Sequence, residues 1–185
     1  MARLSAGATR LNLGWNAVEE TIGTALASLQ GALTRHTVQI DLPADLPLVE
    51  YDALLMERVF ANLLENAAKY TPPGSRIRIE ARAQPQQLIV HVCDNGPGLP
   101  PGREQAVFEA FERGSREDAR PGVGLGLALA RAIVQAHHGS LVAEPAPGGG
   151  VCFRITLGRR EPPQAPEELP AADSATAGSH GTGPG

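Results

Sequence analysis

The chain has 185 residues, 42% of them apolar and 19% charged, enough for one domain with a buried core and a tail to spare. Its formal net charge of −4 argues against a nucleic-acid partner held by bulk electrostatics. It contains no apolar run of about 18 residues that could cross a membrane, and its start, Met1-Ala-Arg-Leu-Ser5, lacks the apolar stretch and cleavage site of a secretory signal.

Residues 1–14 have no clear period and are expected to be a frayed terminus or a linker from preceding helices. From Trp15 to Leu33 the apolar positions Val18, Ile22, Ala25, Leu26, Leu29 and Leu33 fit one helical face. Val38 to Leu42 alternates as a short strand, and Leu46 to Val49 as a second. Asp52 stands where an N-cap belongs, ahead of Leu55, Val59, Phe60, Leu63, Leu64 and Ala67 on a second helix. Thr71-Pro-Pro-Gly74 stops that helix, and Ile77–Ala81 with Leu88–Val92 reads as a hairpin around Pro85. Residues 95–121, rich in Gly, Pro, Arg and Glu, are too long for an ordinary connection and point to a functional or disordered loop. A third helix runs from about Leu125 to His137, with Gly139 as its stop. Leu141–Ala143 and Val151–Leu157 close the domain as strands on either side of Gly148-Gly-Gly150. From Glu161 onward Leu169 is the only large apolar side chain and nine of 25 residues are Pro or Gly, so residues 159–185 are expected to be a disordered tail. This order predicts an α+β two-layer sandwich over residues 15–158, one sheet covered on one face by three helices.

Cys93 and Cys152 match no metal or redox spacing and read as small buried residues of a chain in a reducing compartment. Among the sixteen lysines and arginines only Lys69 is a lysine, which makes it conspicuous.

Three short patterns could carry chemistry. Asn62 and Asn66 are four apart and share a helix face, beside an apolar stripe that already accounts for burial. Amide oxygens suit Mg²⁺, which takes few protein ligands and keeps water and phosphate oxygens; Lys69 and Tyr70 lie one turn on. Taken alone, the pair also fits a polar helix edge meeting solvent. Asp94-Asn-Gly96-Pro-Gly98-Leu99 ends a strand with a carboxylate that can accept from an exocyclic amine, followed by glycines that let backbone approach a ligand. Alone, Asp-Asn-Gly is equally a strand-ending turn. Gly122-Val-Gly124-Leu125-Gly126-Leu127 opens a helix and exposes N–H groups to an anion. It is neither a Walker loop, lacking Gly-Lys-Ser/Thr, nor a dinucleotide fingerprint, since the Gly-x-Gly-x-x-Gly frame from Gly122 meets Leu127.

Together the patterns resemble the catalytic ATP-binding domain of sensor histidine kinases, in the superfamily shared by gyrase, Hsp90 and MutL. Asn62-Leu-Leu-Glu-Asn66-Ala-Ala-Lys69-Tyr70-Thr71 is similar to the family's N box, Asp94-Asn-Gly96-Pro-Gly98 to its G1 box, Phe108-Glu-Ala-Phe111 to its F box and Gly122-Val-Gly-Leu-Gly126-Leu to its G2 box. The four stand in family order and spacing, and the resemblance covers about Trp15 to Leu157. Phe111-Glu-Arg113-Gly-Ser, Pro121 to Ala128 and Gly149 to Leu157 are most similar to the potassium-responsive Kdp-type sensor kinases.

The resemblance implies a Bergerat-type fold with a mixed, mostly antiparallel sheet, and ATP with Mg²⁺ as ligands. It implies that Asn66 and Asn62 help hold Mg²⁺, that Lys69 and Tyr70 contact phosphates and that Asp94 accepts the adenine amine. Gly96, Gly98 and Leu99 would flank the base, residues 95–121 would be the ATP lid, and Arg113 would reach the terminal phosphate. Gly122, Gly124, Leu125, Gly126 and Leu127 would cap the phosphates. The superfamily's hydrolases carry a glutamate one turn before the metal asparagine; here that position is Asn62, which cannot be a general base, so phosphotransfer is favoured over hydrolysis. None of His36, His91, His137, His138 and His180 stands in the family's phosphoacceptor pattern. The resemblance thus implies no catalytic residue within the chain, a separate histidine-bearing dimerisation domain and a response regulator as partners, and a monomeric, cytoplasmic fragment of an inner-membrane sensor. The alternatives are a degenerate interaction module that takes no nucleotide, and an anti-sigma-type serine kinase of the same superfamily.

Overall fold

The computed structural model describes residues 10–109 and 125–162. Arg113, Gly122 and Gly124, the second half of the F box, most of the expected lid tip and the tail from 163 lie outside the described residues. Strands are β1 (Gly14–Asn16), β2 (Thr37–Asp41), β3 (Val49–Tyr51), β4 (Arg76–Gln84), β5 (Gln87–Asp94), β6 (Ser140–Pro145) and β7 (Val151–Gly158). Helices are α1 (Val18–Ser28), α2 (Gln30–Leu33), α3 (Ala53–Tyr70) and α4 (Gly126–Ala136), with a 3-10 turn at Ala106–Phe108.

Five strands form one sheet in the order β2-β4-β5-β7-β6, β2 parallel to β4 and the other pairs antiparallel. Alternation decides the faces. Ile77, Ile79 and Ala81 on β4 and Leu88, Val90 and Val92 on β5 turn inward and meet Ile22 of α1, Phe60 and Leu64 of α3 and Val134 of α4 in one apolar core. The intervening residues form ion pairs across the uncovered face: Arg78 with Asp41 (3.0 Å) and Glu80 (2.9 Å), and Arg154 with Glu144 (2.6 Å). This is the expected α+β two-layer sandwich.

Helix α3 starts at the expected cap. Asp52 Oδ1 accepts from the Leu55 amide (3.1 Å) and its Oδ2 from the Asn12 amide (2.8 Å). Burial alone would push the Asp52 carboxyl up, but these N–H donors and the nearby His137 ring outweigh it and hold it below the usual range. His137, at the end of α4, spans to the same point: its Nε2 accepts from the Asp52 amide (3.0 Å) while its Nδ1 donates to Ile133 O (2.8 Å). With His137 at Asp52 and, at the other end of α4, Gly126 against Asn62, the two helices run antiparallel, matching the length of about 16 Å of both α4 and the Asp52–Asn62 segment.

Four local expectations are corrected. The helix expected over 15–33 is three elements: Trp15 pairs with Glu50 in a separate β1–β3 ribbon, α1 begins at Val18, and Leu29 breaks the run before α2. The second strand lies at Val49–Tyr51, not 46–49, because Tyr51 is fully buried with its hydroxyl on Thr21 Oγ1 (2.8 Å). The left-handed residue that stops α4 is His138 (φ 59°); Gly139 is required instead for space, since a Cβ there would lie 2.5 Å from Thr156 O. Finally, Cys93 and Cys152 are not separate thiols. The β5–β7 register sets them directly opposite and they are disulfide-bonded, which removes the support they lent to a reducing compartment.

Candidate functional site

The site is laid out along α3. Met56, Val59, Phe60, Leu63, Leu64 and Ala67 bury its inner face, and Asn62 stands among them with 6% of its surface exposed. Its Nδ2 is buried and unpartnered among the described residues, an arrangement that costs about 1–3 kcal/mol if nothing fills it. Against Asn62 lies the start of α4: a Cβ added to Gly126 would be 3.5 Å from Asn62 Oδ1. Among the described residues no side chain caps α4, and a helix start of this kind suits an anion beside the amide. One turn further along α3, Asn66 is half-buried and Lys69 follows, with its Nζ 5.1 Å from the ring centroid of the exposed Tyr70. Glu65, the nearest carboxylate on the helix, is exposed and turned away from the core side.

The far end of α3 meets the strand-end carboxylate. Thr71 ends the helix, donating its hydroxyl to Ala67 O (2.7 Å) and accepting from His36 Nε2 (2.9 Å). Its methyl packs on Gly96 so closely that a Cβ there would lie 2.6 Å from Thr71 Cγ2. Asp94, 9% exposed, ends β5 on the helix-covered side. Its Oδ1 accepts from the amides of Gly96 (2.9 Å) and Val151 (3.3 Å), leaving Oδ2 without a donor among the described residues. Burial pushes this carboxyl up and the two N–H bonds pull it down; burial wins, and its pKa lies above the usual carboxylate range. Gly150 (φ 95°) touches the Asp94 carbonyl where any Cβ would overlap it.

The structure therefore brings Asn62 to Gly126 and the Asp94–Gly96 turn to the end of the same helix. Leu99 and Leu127 pack half-buried against the core, whereas Leu125 is exposed. Gly98 (φ 77°) lines a cleft of about 210 Å³ with Leu99, Glu104, Glu144, Gly150 and Val151; Asn62, Asn66 and Asp94 do not line it, but Gly150 and Val151 adjoin Asp94. Phe108 of the F box is buried edge-on to Phe153 (6.1 Å between centroids), with the Arg131 guanidinium over its ring. Sequence reasoning assigned no role to Thr71, His36, Val151 or Gly150. In sequence Thr71 is a helix stop and the last residue of the N-box segment, and Gly150 belongs to the glycine run between the last two strands; nothing local marks the partners they meet.

As a cation site, α3 offers amides rather than carboxylates: no cluster of three His, Cys, Asp or Glu exists among the described residues. An ion that takes one or two protein oxygens and completes its shell with water and phosphate fits that donor set, and the orphaned amide of Asn62 fits a polar ligand beside it.

Residues 51–161 match the model of the histidine kinase-, DNA gyrase B- and HSP90-like ATPase family, and the chain belongs to it. Within that family it is 46% identical over 167 residues to the sensor protein KdpD of Escherichia coli K12, a match over 90% of this chain and 19% of KdpD. The chain thus spans about a fifth of that relative's length. Among solved structures it is similar to the mycobacterial sensor histidine kinase MprB (29% identity, TM-score 0.69, 82% of this chain and 99% of that one). It shares its fold with full-length ShkA in complex with AMPPNP (24% identity, TM-score 0.73, 86% of this chain and 34% of that one). Among the described residues no helix is long and apolar enough to cross a membrane.

Proposed function

We propose that the chain is the ATP-binding catalytic domain of a two-component sensor histidine kinase of the Kdp type, acting in potassium or osmotic response. It binds Mg-ATP and presents the γ-phosphoryl to a histidine on a separate dimerisation domain, from which a response regulator is phosphorylated. It acts on the cytoplasmic side of an inner-membrane parent, and alone it is a monomer. The observation that carries this reading is the convergence on α3, with Gly126 against Asn62 at one point and Gly96 against Thr71 at the other, beside a buried Asp94. The relatives named above, one of them in complex with AMPPNP, support it.

In this reading Asp94 Oδ2 accepts the exocyclic amine of adenine, and the two backbone donors on Oδ1 keep the carboxylate in that orientation. Gly96 and Gly98 let the base lie against backbone, with Leu99 at its edge. The N–H groups of Leu125, Gly126 and Leu127 at the start of α4 meet phosphate oxygens, as would those of Gly122 and Gly124 before them. Lys69 and Tyr70 approach from the end of α3, and Arg113 neutralises the terminal phosphate. The amide oxygens of Asn66 and Asn62 would hold Mg²⁺, which when bound supplies charge neutralisation across the phosphates. Catalysis is then positioning and electrostatics, since the amide at 62 and the outward Glu65 leave water without a base.

Calorimetric titration with a non-hydrolysable ATP analogue, with Mg²⁺ and with chelator, tests the binding half. Mixing the chain with a histidine-bearing dimerisation domain and labelled ATP tests transfer. Saturable, Mg²⁺-dependent binding and label on the histidine are expected; a folded chain that gives no heat at millimolar nucleotide would refute the reading in favour of an interaction module.

A further inference from the structure

The uncovered face of the sheet carries, beside its ion pairs, one covalent link. Cys93 on β5 and Cys152 on β7 are register partners with Cα atoms 4.0 Å apart, bonded across 59 residues of sequence. The row through them runs Arg78, Cys93, Cys152, Glu144 from β4 to β6. Cys93 is half-buried and Cys152 is 6% exposed, so a small thiol in solvent meets the Cys93 sulfur first. The fold does not depend on the link: β5 and β7 pair over seven residues, and Phe153, Ile155 and Leu157 anchor β7 in the core.

What lies behind the link gives it a role. The next residue on β5 is Asp94 and the preceding one on β7 is Val151. On the helix-covered side the Val151 amide donates to Asp94 Oδ1. The disulfide and the carboxylate cradle are thus back to back across one layer of backbone. On the β7 side the cradle is reached through Gly148, Gly149 and Gly150, all with positive φ, and is otherwise held by Gly150 against the Asp94 carbonyl and by Val151 paired with Pro145 of β6.

We propose that Cys93–Cys152 is a reversible thiol–disulfide site whose state sets the rigidity of the Asp94 cradle and, through it, nucleotide affinity; the affinity half rests on the function proposed above. The reactants are a low-molecular-weight thiol and its disulfide, with glutathione as the probe. A thiolate attacks Cys93 Sγ, the bond to Cys152 breaks, and the electron pair leaves on Cys152 Sγ, which takes a proton from solvent. A second thiolate attacks the small-molecule sulfur of the mixed disulfide, forming the small disulfide and releasing Cys93 as thiolate. Two electrons pass from two small thiols to the protein pair, and the reverse sequence closes it. Closed, the link holds the two strand ends together beneath the Asp94–Val151 contact. Open, that contact keeps its 3.3 Å hydrogen bond and the Gly150 packing but loses the covalent tie beneath it, and part of the ordering falls on nucleotide binding.

The full chain, equilibrated in reduced or in oxidised glutathione, provides the test. Alkylation with mass spectrometry counts thiols, amide hydrogen exchange reads Gly96 and Val151, and calorimetry reads ADP affinity. The pair is expected to open and close with the glutathione ratio, and the two amides to exchange faster in the open state. ADP should bind about fivefold more weakly there, the low end of site-to-site couplings. The variant Cys93→Ala with Cys152→Ala should match the open state in both buffers. A pair locked in one state across the whole glutathione range, or equal exchange at Val151 in both states, overturns the proposal. Equal ADP affinity in both states overturns its affinity half while leaving the nucleotide site intact. Exchange that responds in a chain that binds no nucleotide in either state overturns the nucleotide reading itself.

Discussion

Replacing Asp94 with asparagine separates the two jobs of that side chain. An amide oxygen in the place of Oδ1 can still accept from the amides of Gly96 and Val151, so those two donors fix the orientation of the new group. The amide NH₂ then stands where Oδ2 stood and meets the adenine amine donor to donor. The loss is at least one hydrogen bond to a charged group, about 1.5–3 kcal/mol, or about 10- to 100-fold in Kd at 1.4 kcal/mol per decade. Stability should move the other way. The folded-state pKa of Asp94 lies above the ordinary value, so ionising it opposes folding, and that penalty is present at neutral pH and disappears as the carboxyl protonates in acid. The neutral amide removes it, so the ligand-free variant should melt no lower than the parent. Calorimetry with Mg-ATP and a thermal melt without nucleotide read the two effects, and GTP, which presents a carbonyl in place of the amine, should lose less than ATP. A variant that binds ATP within about twofold of the parent would refute the adenine role; one that melts well below it would refute the account of the cradle.

Gly96→Ala should drive a methyl into Thr71 and cost about 1–3 kcal/mol of stability together with nucleotide affinity; adding Thr71→Ser, which removes the obstructing Cγ2, should restore part of both in melts and titrations. Asn62→Leu replaces a buried amide having an unpartnered Nδ2 by an apolar group of similar size. It should leave the ligand-free melting temperature unchanged or higher while abolishing the Mg²⁺-dependent part of ATP binding. Asp52→Ala should cost about 0.5–2 kcal/mol at neutral pH. Because the Asp52 pKa is depressed in the folded chain, that difference should be full above the ordinary carboxylate range and shrink as pH falls through the folded value, as urea titrations across pH would show.

The parts of the fold legible in the sequence are those whose information is local. Helix α3 has its cap, its stripe and its stop within 20 residues, and the β4–β5 hairpin alternates cleanly on both arms. β1 has only three residues and one tertiary partner, so its alternation is too short to compete with the helical period that runs on from Val18. His137 read as an ordinary helix end because its acceptor role depends on Asp52, 85 residues away. The cysteines read as unrelated for the same reason: spacing of 59 says nothing until the register of β5 on β7 is known. At the site, the residue types were legible as motifs, but Thr71 against Gly96 and Gly126 against Asn62 are contacts between elements, and sequence supplies only the small size that permits them.

The double use of Asp52 has a mechanical consequence. One carboxylate caps α3 and grips the Asn12 amide, while its own amide is gripped by the end of α4. A pull or twist on the backbone at Asn12 therefore has a hydrogen-bonded route to the first turn of the helix that bears Asn62 and Asn66, beside the route through β1 and β3. α3 works as a drive shaft, with its coupling at the point where the preceding chain arrives and its load two to four turns along.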